Sequence, residues 1–261
     1  MIKVDFKELQ AIEETMNTYA QGTLKAGEEG VALMKKAFHE DAIMWGWYTT
    51  GQLAQGHIQG LYDVIVPAPS VIDYKMRMDI MDVCESIAFV RVELDKIWAD
   101  ETKKFTDYHE LIKVDGQWRI VAKVFAQHKL DAPMQRAGFE EIKGIEKTLS
   151  TYANGTLYAG AAGVGLMKKA FLPEAVMWGH YTNGTMAKGS VQGLYDVIEP
   201  AATVTDYNMR VDILDIHETI AAARVELDKI WGDEMKTFTD YHTLIKIDGE
   251  WRIIGKCFAQ H

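Results

Sequence analysis

Cysteine and proline are scarce in this 261-residue chain, with two of the first and five of the second. Cys84 and Cys257 stand at non-equivalent places in the two halves described below. Their spacing suits neither a zinc site nor a disulfide scaffold, and a reducing compartment, the cytoplasm, is the simplest reading. No apolar run is long enough to span a bilayer. Residues 1–6 lack the apolar stretch of a signal peptide. No basic run stands out, and the net charge is -10. That balance argues against a nucleic-acid backbone or an anionic membrane surface as partner. The scattered histidines form neither HExxH nor a compact zinc set, and the glycines make no dinucleotide or P-loop fingerprint. No serine occupies a nucleophile elbow. Neither a metal nor a cofactor is therefore expected.

What the chain does contain, it contains twice. Residues 19–128 recur as 152–261 at a constant offset of 133, without a gap. Roughly two thirds of the paired positions are identical, and a repeat this long is a whole domain. GTLxAG, GLYDVI, RVELDKIW, FTDYH and FAQH return in order. Two domains are expected, 1–131 and 132–261, each near the usual domain size. With 48% hydrophobic residues each half can build its own core.

Within each copy the periodicity changes once. Leu9, Ile12, Met16 and Tyr19 recur at helical spacing over 6–23, as do Ile142, Ile145, Leu149 and Tyr152. Gly22 and Gly27, with Gly155 and Gly160, are read as ending that helix and opening a loop. A second helix covers 28–38, a short strand follows, and a third helix covers 56–65 before Pro67. From Tyr74 onward the period is two, giving strands over 74–82, 86–98, 105–114 and 117–125. Asp115-Gly116 and Asp248-Gly249 are two-residue hairpin turns. The fold class is α+β: two tandem cone-shaped domains, each with helices packed on a curved antiparallel sheet.

This order of elements, with Asp41-Ala42 after the second helix and the closing run from Leu111 to Val121, resembles the nuclear transport factor 2-like, or SnoaL-like, superfamily. Leu111 to Val121 and Leu244 to Ile254 are similar to its putative lumazine-binding branch. The resemblance covers nearly all of both copies. It implies small homodimer-forming domains, which two copies in one chain could reproduce internally as a pseudo-dimer, with further self-association open. The ketosteroid isomerases of the wider fold carry an acidic base near where this chain has Gly46 and Gly179, so the resemblance supplies no base at that position.

An unbroken ladder outward from the Asp115-Gly116 turn sets the faces. Asp107, His109, Leu111, Trp118, Ile120 and Val124 then share the helix-covered face. Tyr108, Glu110, Arg119, Val121, Lys123 and Phe125 share the other, with Glu93 meeting Lys123 and Glu226 meeting Lys256 across strands. That second face is expected to join the halves sheet to sheet. Asp107 and His109, and their copies Asp240 and His242, are the candidate catalytic residues. They point the same way from one strand, and a carboxylate can orient a histidine that exchanges protons near neutral pH. Tyr19, Trp45, Tyr48, Tyr62 and Trp118 supply a candidate aromatic ligand wall, repeated as Tyr152, Trp178, Tyr181, Tyr195 and Trp251. Trp47 at the first mouth becomes His180 at the second, which predicts a more polar second site.

Two functions stay open at this level. One is a binding or structural protein with a cavity for a small flat apolar ligand in each half. The other is a cofactor-independent isomerase, hydratase or dehydratase that moves protons with His109 and Asp107.

Overall fold

The computed structural model describes residues 5–129 and 137–261 and divides into two compact units, Met1–Gln135 and Arg136–His261. The boundary expected between 131 and 132 lies outside the described residues. The first unit runs α1 (Phe6–Lys25), α2 (Gly27–Ala37), β1 (Phe38–Trp47), β2 (Leu53–Ala54), α3 (Gln59–Ile65), β3 (Asp73–Cys84), β4 (Ile87–Ile97), β5 (Thr102–Val114) and β6 (Gln117–His128). The second repeats it as α4 (Phe139–Tyr158), α5 (Gly160–Ala170), β7 (Phe171–His180), β8 (Met186–Ala187), α6 (Gln192–Ile198), β9 (Asp206–His217), β10 (Ile220–Trp231), β11 (Glu234–Ile247) and β12 (Glu250–Gln260). No helix among the described residues is long and apolar enough to cross a membrane.

Helix α1 starts where the Asp5 carboxylate accepts the Lys7 amide hydrogen at 3.1 Å, satisfying an otherwise orphan donor. Its stripe of Ile12, Met16 and Tyr19 is buried. Gly22 does not end this helix. It lies inside it, where an added Cβ would stand 2.6 Å from the Gly30 carbonyl oxygen of α2. The glycine permits two helices to touch backbone to backbone. The break falls at Ala26, whose φ of 57° no longer continues the helix.

Each sheet is an open six-stranded layer, ordered β2-β1-β6-β5-β4-β3 in the first unit and β8-β7-β12-β11-β10-β9 in the second. This corrects the expected cone. Closure requires the two edge strands to pair, and one edge here is a two-residue strand. Nor is the sheet wholly antiparallel, because β1 lies parallel to β6 and β7 to β12. The hairpin turns hold as read: Asp115 and Gly116 both have positive φ, 50° and 77°, as a two-residue turn of this kind requires.

The ladder from that turn is interrupted. Leu111 faces Ile120, yet Glu110 faces Ala122, so Val121 is an extra, bulged residue. Ile254 does the same in the second unit, between Leu244 facing Ile253 and Thr243 facing Gly255. Beyond the bulge the faces exchange relative to an unbroken ladder. Lys123 and Phe125 turn toward the helices with His109 and Asp107, their register partners. Val124 pairs with Tyr108 on the opposite face. The expected face containing Lys123 and Phe125 is therefore corrected, as are the Glu93–Lys123 and Glu226–Lys256 pairs.

The core of each unit lies between its helices and its sheet. In the first it is built from Ile12, Met16, Tyr19, Met34, Phe38, Val90, Val92, Leu94, Leu111 and Phe125 among others. The second is built on the same plan from Ile145, Leu149 and Tyr152 onward, with Leu149 in place of Met16 and Ala223 in place of Val90.

Candidate functional site

The core of the first unit is not filled. A cavity of about 160 Å³ opens between α1, α3 and the sheet. Its apolar wall includes Met44, Leu61, Ile65, Leu94, Phe105 and Phe125, with Tyr48 and Trp98 as further aromatic surface. The polar groups are few: Tyr19, Thr23, Lys96, Lys103, Asp107 and Lys123. The volume is close to that of an apolar protein cavity of ~150 Å³ that takes benzene, so it fits a ligand of about one ring.

Asp107 is the polar centre. Its Oδ2 accepts the Tyr19 hydroxyl hydrogen at 2.7 Å, and its Oδ1 lies 2.7 Å from Lys123 Nζ. All three side chains are at least 95% buried. Burial alone would push the Asp107 pKa up. The Lys123 ammonium, with the hydrogen bonds from Lys123 and Tyr19, more than offsets this and holds it below the usual carboxylate value. The Tyr19 hydroxyl is driven well above its ordinary pKa by burial and by the adjacent carboxylate, so it stays a donor. Lys123 is lowered by burial, an effect its pairing with Asp107 opposes. The second unit reproduces the triad: Tyr152 donates to Asp240 Oδ2 at 2.5 Å and Lys256 donates to Asp240 Oδ1 at 2.5 Å.

His109 is next to this triad but absent from the cavity wall. Its ring packs on Tyr19 with centroids 4.8 Å apart, and it has no exposed surface. Burial, with the Lys123 charge, pushes the imidazole down to about 3; His242 is likewise at about 3 through burial. Both rings are neutral at physiological pH, so neither carries the second proton that an imidazolium would give up as an acid.

The cavity gathers Tyr19, Tyr48 and Asp107 from the sequence-derived set and leaves out the rest. Trp45 follows Met44 on β1, so it takes the other sheet face and pairs with Val124; Trp178 does the same beside Cys257. Tyr62 is buried in α3 with the Lys35 ammonium 5.7 Å from its ring centre, and Tyr195 matches it with Lys168 at 5.6 Å. Trp118 closes the far end of the core, its Nε1 donating to Glu8 Oε2 at 2.9 Å; Trp251 donates to Glu141 at the same distance. Trp47 is not at the wall. Gly46, where the resemblance to ketosteroid isomerases would put an acidic base, faces the Phe125 ring, which occupies the space any side chain there would need.

Sequence reasoning missed Lys96, Lys103 and Lys123. Lys123 was hidden by the bulge. Lys96 carries a readable signal, because it continues the inward phase of Val92 and Leu94 along β4. Of the 17 residues at the wall, 16 recur unchanged at the offset of 133, the exception being Pro69, which becomes Ala202. The expected difference in polarity thus has no counterpart among the second-unit residues equivalent to this wall, which Trp47 does not join.

Helices laid over one face of an open mixed sheet define a nuclear transport factor 2-like domain, here present twice, with a cavity between the layers of the first copy. The family described as "Putative lumazine-binding" matches residues 7–126 and again 140–259, and the chain belongs to it. A protein of Cladobotryum sp. named "Aldolase FrzH" is 29% identical over 118 residues, covering 45% of this chain and 90% of its own. Among solved structures, an NTF2-like protein of unknown function from Shewanella baltica is 29% identical, over 49% of this chain and 98% of its own, with a TM-score of 0.43. One from Methylobacillus flagellatus is 32% identical over 49% and 98%, also with a TM-score of 0.43.

Proposed function

We propose that each repeat binds a small, flat, largely apolar ligand of about one ring, with one polar oxygen turned toward Asp107, Tyr19 and Lys123, or toward Asp240, Tyr152 and Lys256. The observation that carries this reading is the retained wall. Roughly a third of all paired positions differ between the copies, yet 16 of 17 wall residues do not. Apolar identities can be kept for packing alone. Buried Asp107 and its buried partner Lys123 are poor packing choices, because desolvating charges costs several kcal/mol, roughly, per ion. Their retention in both copies is better accounted for by what they contact in the cavity.

Isothermal titration of the intact chain with benzyl alcohol, benzaldehyde and lumazine tests this. Lumazine is the ligand suggested by the family's description. The expectation is two sites per chain, both weakened in Asp107→Asn/Asp240→Asn. Absence of binding by every compound would sink the reading.

A second reading is an enzyme that isomerises, hydrates or dehydrates its ligand by proton transfer. It is favoured by the titratable groups in the cavity and by the name of the aldolase relative. In this reading the chemistry belongs to the groups at the wall rather than to His109 and His242, which are neutral and enclosed.

The pairing of the two repeats as an intrachain pseudo-dimer is likewise a proposal. It is supported by the gapless repeat and by apolar side chains such as Ile87, Phe89 and Ile112 on the sheet face away from the helices. Solution scattering tests it, since an extended two-bead profile would contradict pairing. Phe125 and Phe258 cannot probe that face, because they point into the cores.

A further inference from the structure

We propose that Lys96, with Lys229 in the second repeat, is a carbonyl-reactive amine that captures an aldehyde or ketone ligand as a reversible iminium. This rests on the cavity reading above and narrows its ligand class from flat apolar molecules to carbonyl compounds.

The geometry comes first. Val92, Leu94 and Lys96 alternate along β4 toward the helices, and the first two are fully buried core residues. Lys96 therefore projects where the pattern would place another apolar side chain, and it lines the cavity. Its Nζ lies 5.5 Å from the centre of the Phe105 ring; Lys229 lies 5.3 Å from that of Phe238. Lys123 and Lys103 are each engaged by a carboxylate, Asp107 at 2.7 Å and Glu101 at 3.1 Å. Among the described residues no carboxylate makes an ion pair with Lys96 or Lys229. Lys103 stands directly opposite Lys96 on β5, and Lys236 opposite Lys229 on β11, so a like charge faces each amine. An amine in an apolar site beside another cation is the arrangement that favours its neutral, nucleophilic form.

The electrostatics agree. Burial, then the charges of Lys123 and Lys103, push Lys96 down to about 8, while Asp107 opposes them. Lys229 is also at about 8, from burial with Lys256 and Lys236, opposed by Asp240. Against an ordinary lysine, that raises the free-amine fraction near neutral pH by about 300-fold.

The step balances without any redox partner. The neutral Nζ forms a bond to the carbonyl carbon as the C=O π pair moves to oxygen. A proton passes from nitrogen to that oxygen, giving a carbinolamine. The hydroxyl then takes one proton from the buffer, the C–O bond breaks, and water leaves behind an iminium. Hydrolysis reverses each step and returns ligand and amine.

Reductive trapping with benzaldehyde and sodium cyanoborohydride tests the proposal on the intact chain. Adducts are mapped by peptide mass spectrometry from pH 6 to pH 10. Benzyl alcohol, which has the ring but no carbonyl, serves as competitor and as a separate binding probe. Adducts concentrated on Lys96 and Lys229, suppressed by benzyl alcohol and half-maximal near pH 8, are expected. Lys96→Arg/Lys229→Arg should lose them, with folding checked by circular dichroism. If benzyl alcohol binds but adducts spread over exposed lysines such as Lys36 and Lys147, the amine assignment fails and the cavity reading stands. If benzyl alcohol does not bind and no adduct prefers Lys96 or Lys229, both fall. The wild-type map and pH profile decide the matter even if the double variant does not fold.

Discussion

The Tyr19 hydroxyl donates to Asp107 Oδ2 at 2.7 Å across 88 positions of chain, and Tyr152 donates to Asp240 across the same separation. One hydrogen bond thus ties the first helix of each unit to the third strand of its hairpin array, inside the core. It also leaves the carboxylate with a neutral donor on one oxygen and a cation on the other.

Removing that donor should be costly. Tyr19→Phe keeps the ring against Phe38 and His109 but strips a charge-assisted hydrogen bond from a buried carboxylate. The expected loss is about 1.5–3 kcal/mol. Urea unfolding of Tyr19→Phe and Tyr152→Phe measures it. A change within error at both sites would mean that water replaces the hydroxyl.

The ion pair should behave as a unit. Lys123→Met leaves Asp107 charged and enclosed, at a cost of about 3–5 kcal/mol. Adding Asp107→Asn removes the stranded charge and should recover much of that loss. The double-mutant cycle is therefore strongly non-additive. Additive losses would show that the two charges are separately solvated, against the 2.7 Å contact.

Lys123 also marks where the sequence stops being legible. The repeat, the helical stripes and the Asp115-Gly116 turn are local patterns and could be read directly. So could the placement of Tyr19, Tyr48 and Asp107 toward a common interior. The bulge at Val121 has no local marker, yet it reverses the facing of every residue beyond it on β6 relative to an unbroken ladder. Trp45 was misread for a related reason. Met44 and Trp45 are both apolar, and only the parallel pairing of β1 with β6 decides which turns inward. That pairing joins residues about 80 apart, and nothing near Trp45 announces it. The open sheet edges are equally non-local.

Acid should weaken the fold through its buried histidines before it titrates the aspartates. His109 and His242 have folded pKa values of about 3, below the ordinary 6.5. Between those values the unfolded chain binds protons that the folded chain does not. Stability therefore falls as pH drops from about 6.5. Half-buried His180 is also lowered by burial and adds in the same direction. Asp107 and Asp240, whose pKa values are depressed, stabilise above 3.8 and lose that contribution only at lower pH. Calorimetric unfolding at pH 5 in buffers of different ionisation enthalpy should show net proton uptake. Uptake should drop by about two protons in His109→Gln/His242→Gln, one for each imidazole removed. Unchanged uptake in that variant would contradict the enclosed, neutral state of both rings.

Glycine positions separate steric from conformational demands without touching a charged group. Gly46 lies on β1 in register with Phe125, and a methyl added there would enter space held by the Phe125 ring and carbonyl. The ring also forms part of the cavity wall, so it can move only by intruding on the cavity or by prising β1 from β6. Gly46→Ala should then cost about 1–3 kcal/mol, the usual penalty of overpacking, and should weaken any ligand that occupies the cavity. Gly60, within α3, offers the contrast: an added Cβ there meets nothing within 4 Å. Gly60→Ala should be neutral, or stabilising by up to about 1 kcal/mol, since alanine loses less backbone entropy in a helix. Thermal unfolding of both variants, with near-ultraviolet circular dichroism to follow the aromatic environment, distinguishes the cases. A Gly46→Ala protein as stable as Gly60→Ala, with an unchanged aromatic spectrum, would show that the Phe125 ring does not press on β1 as the register and packing require.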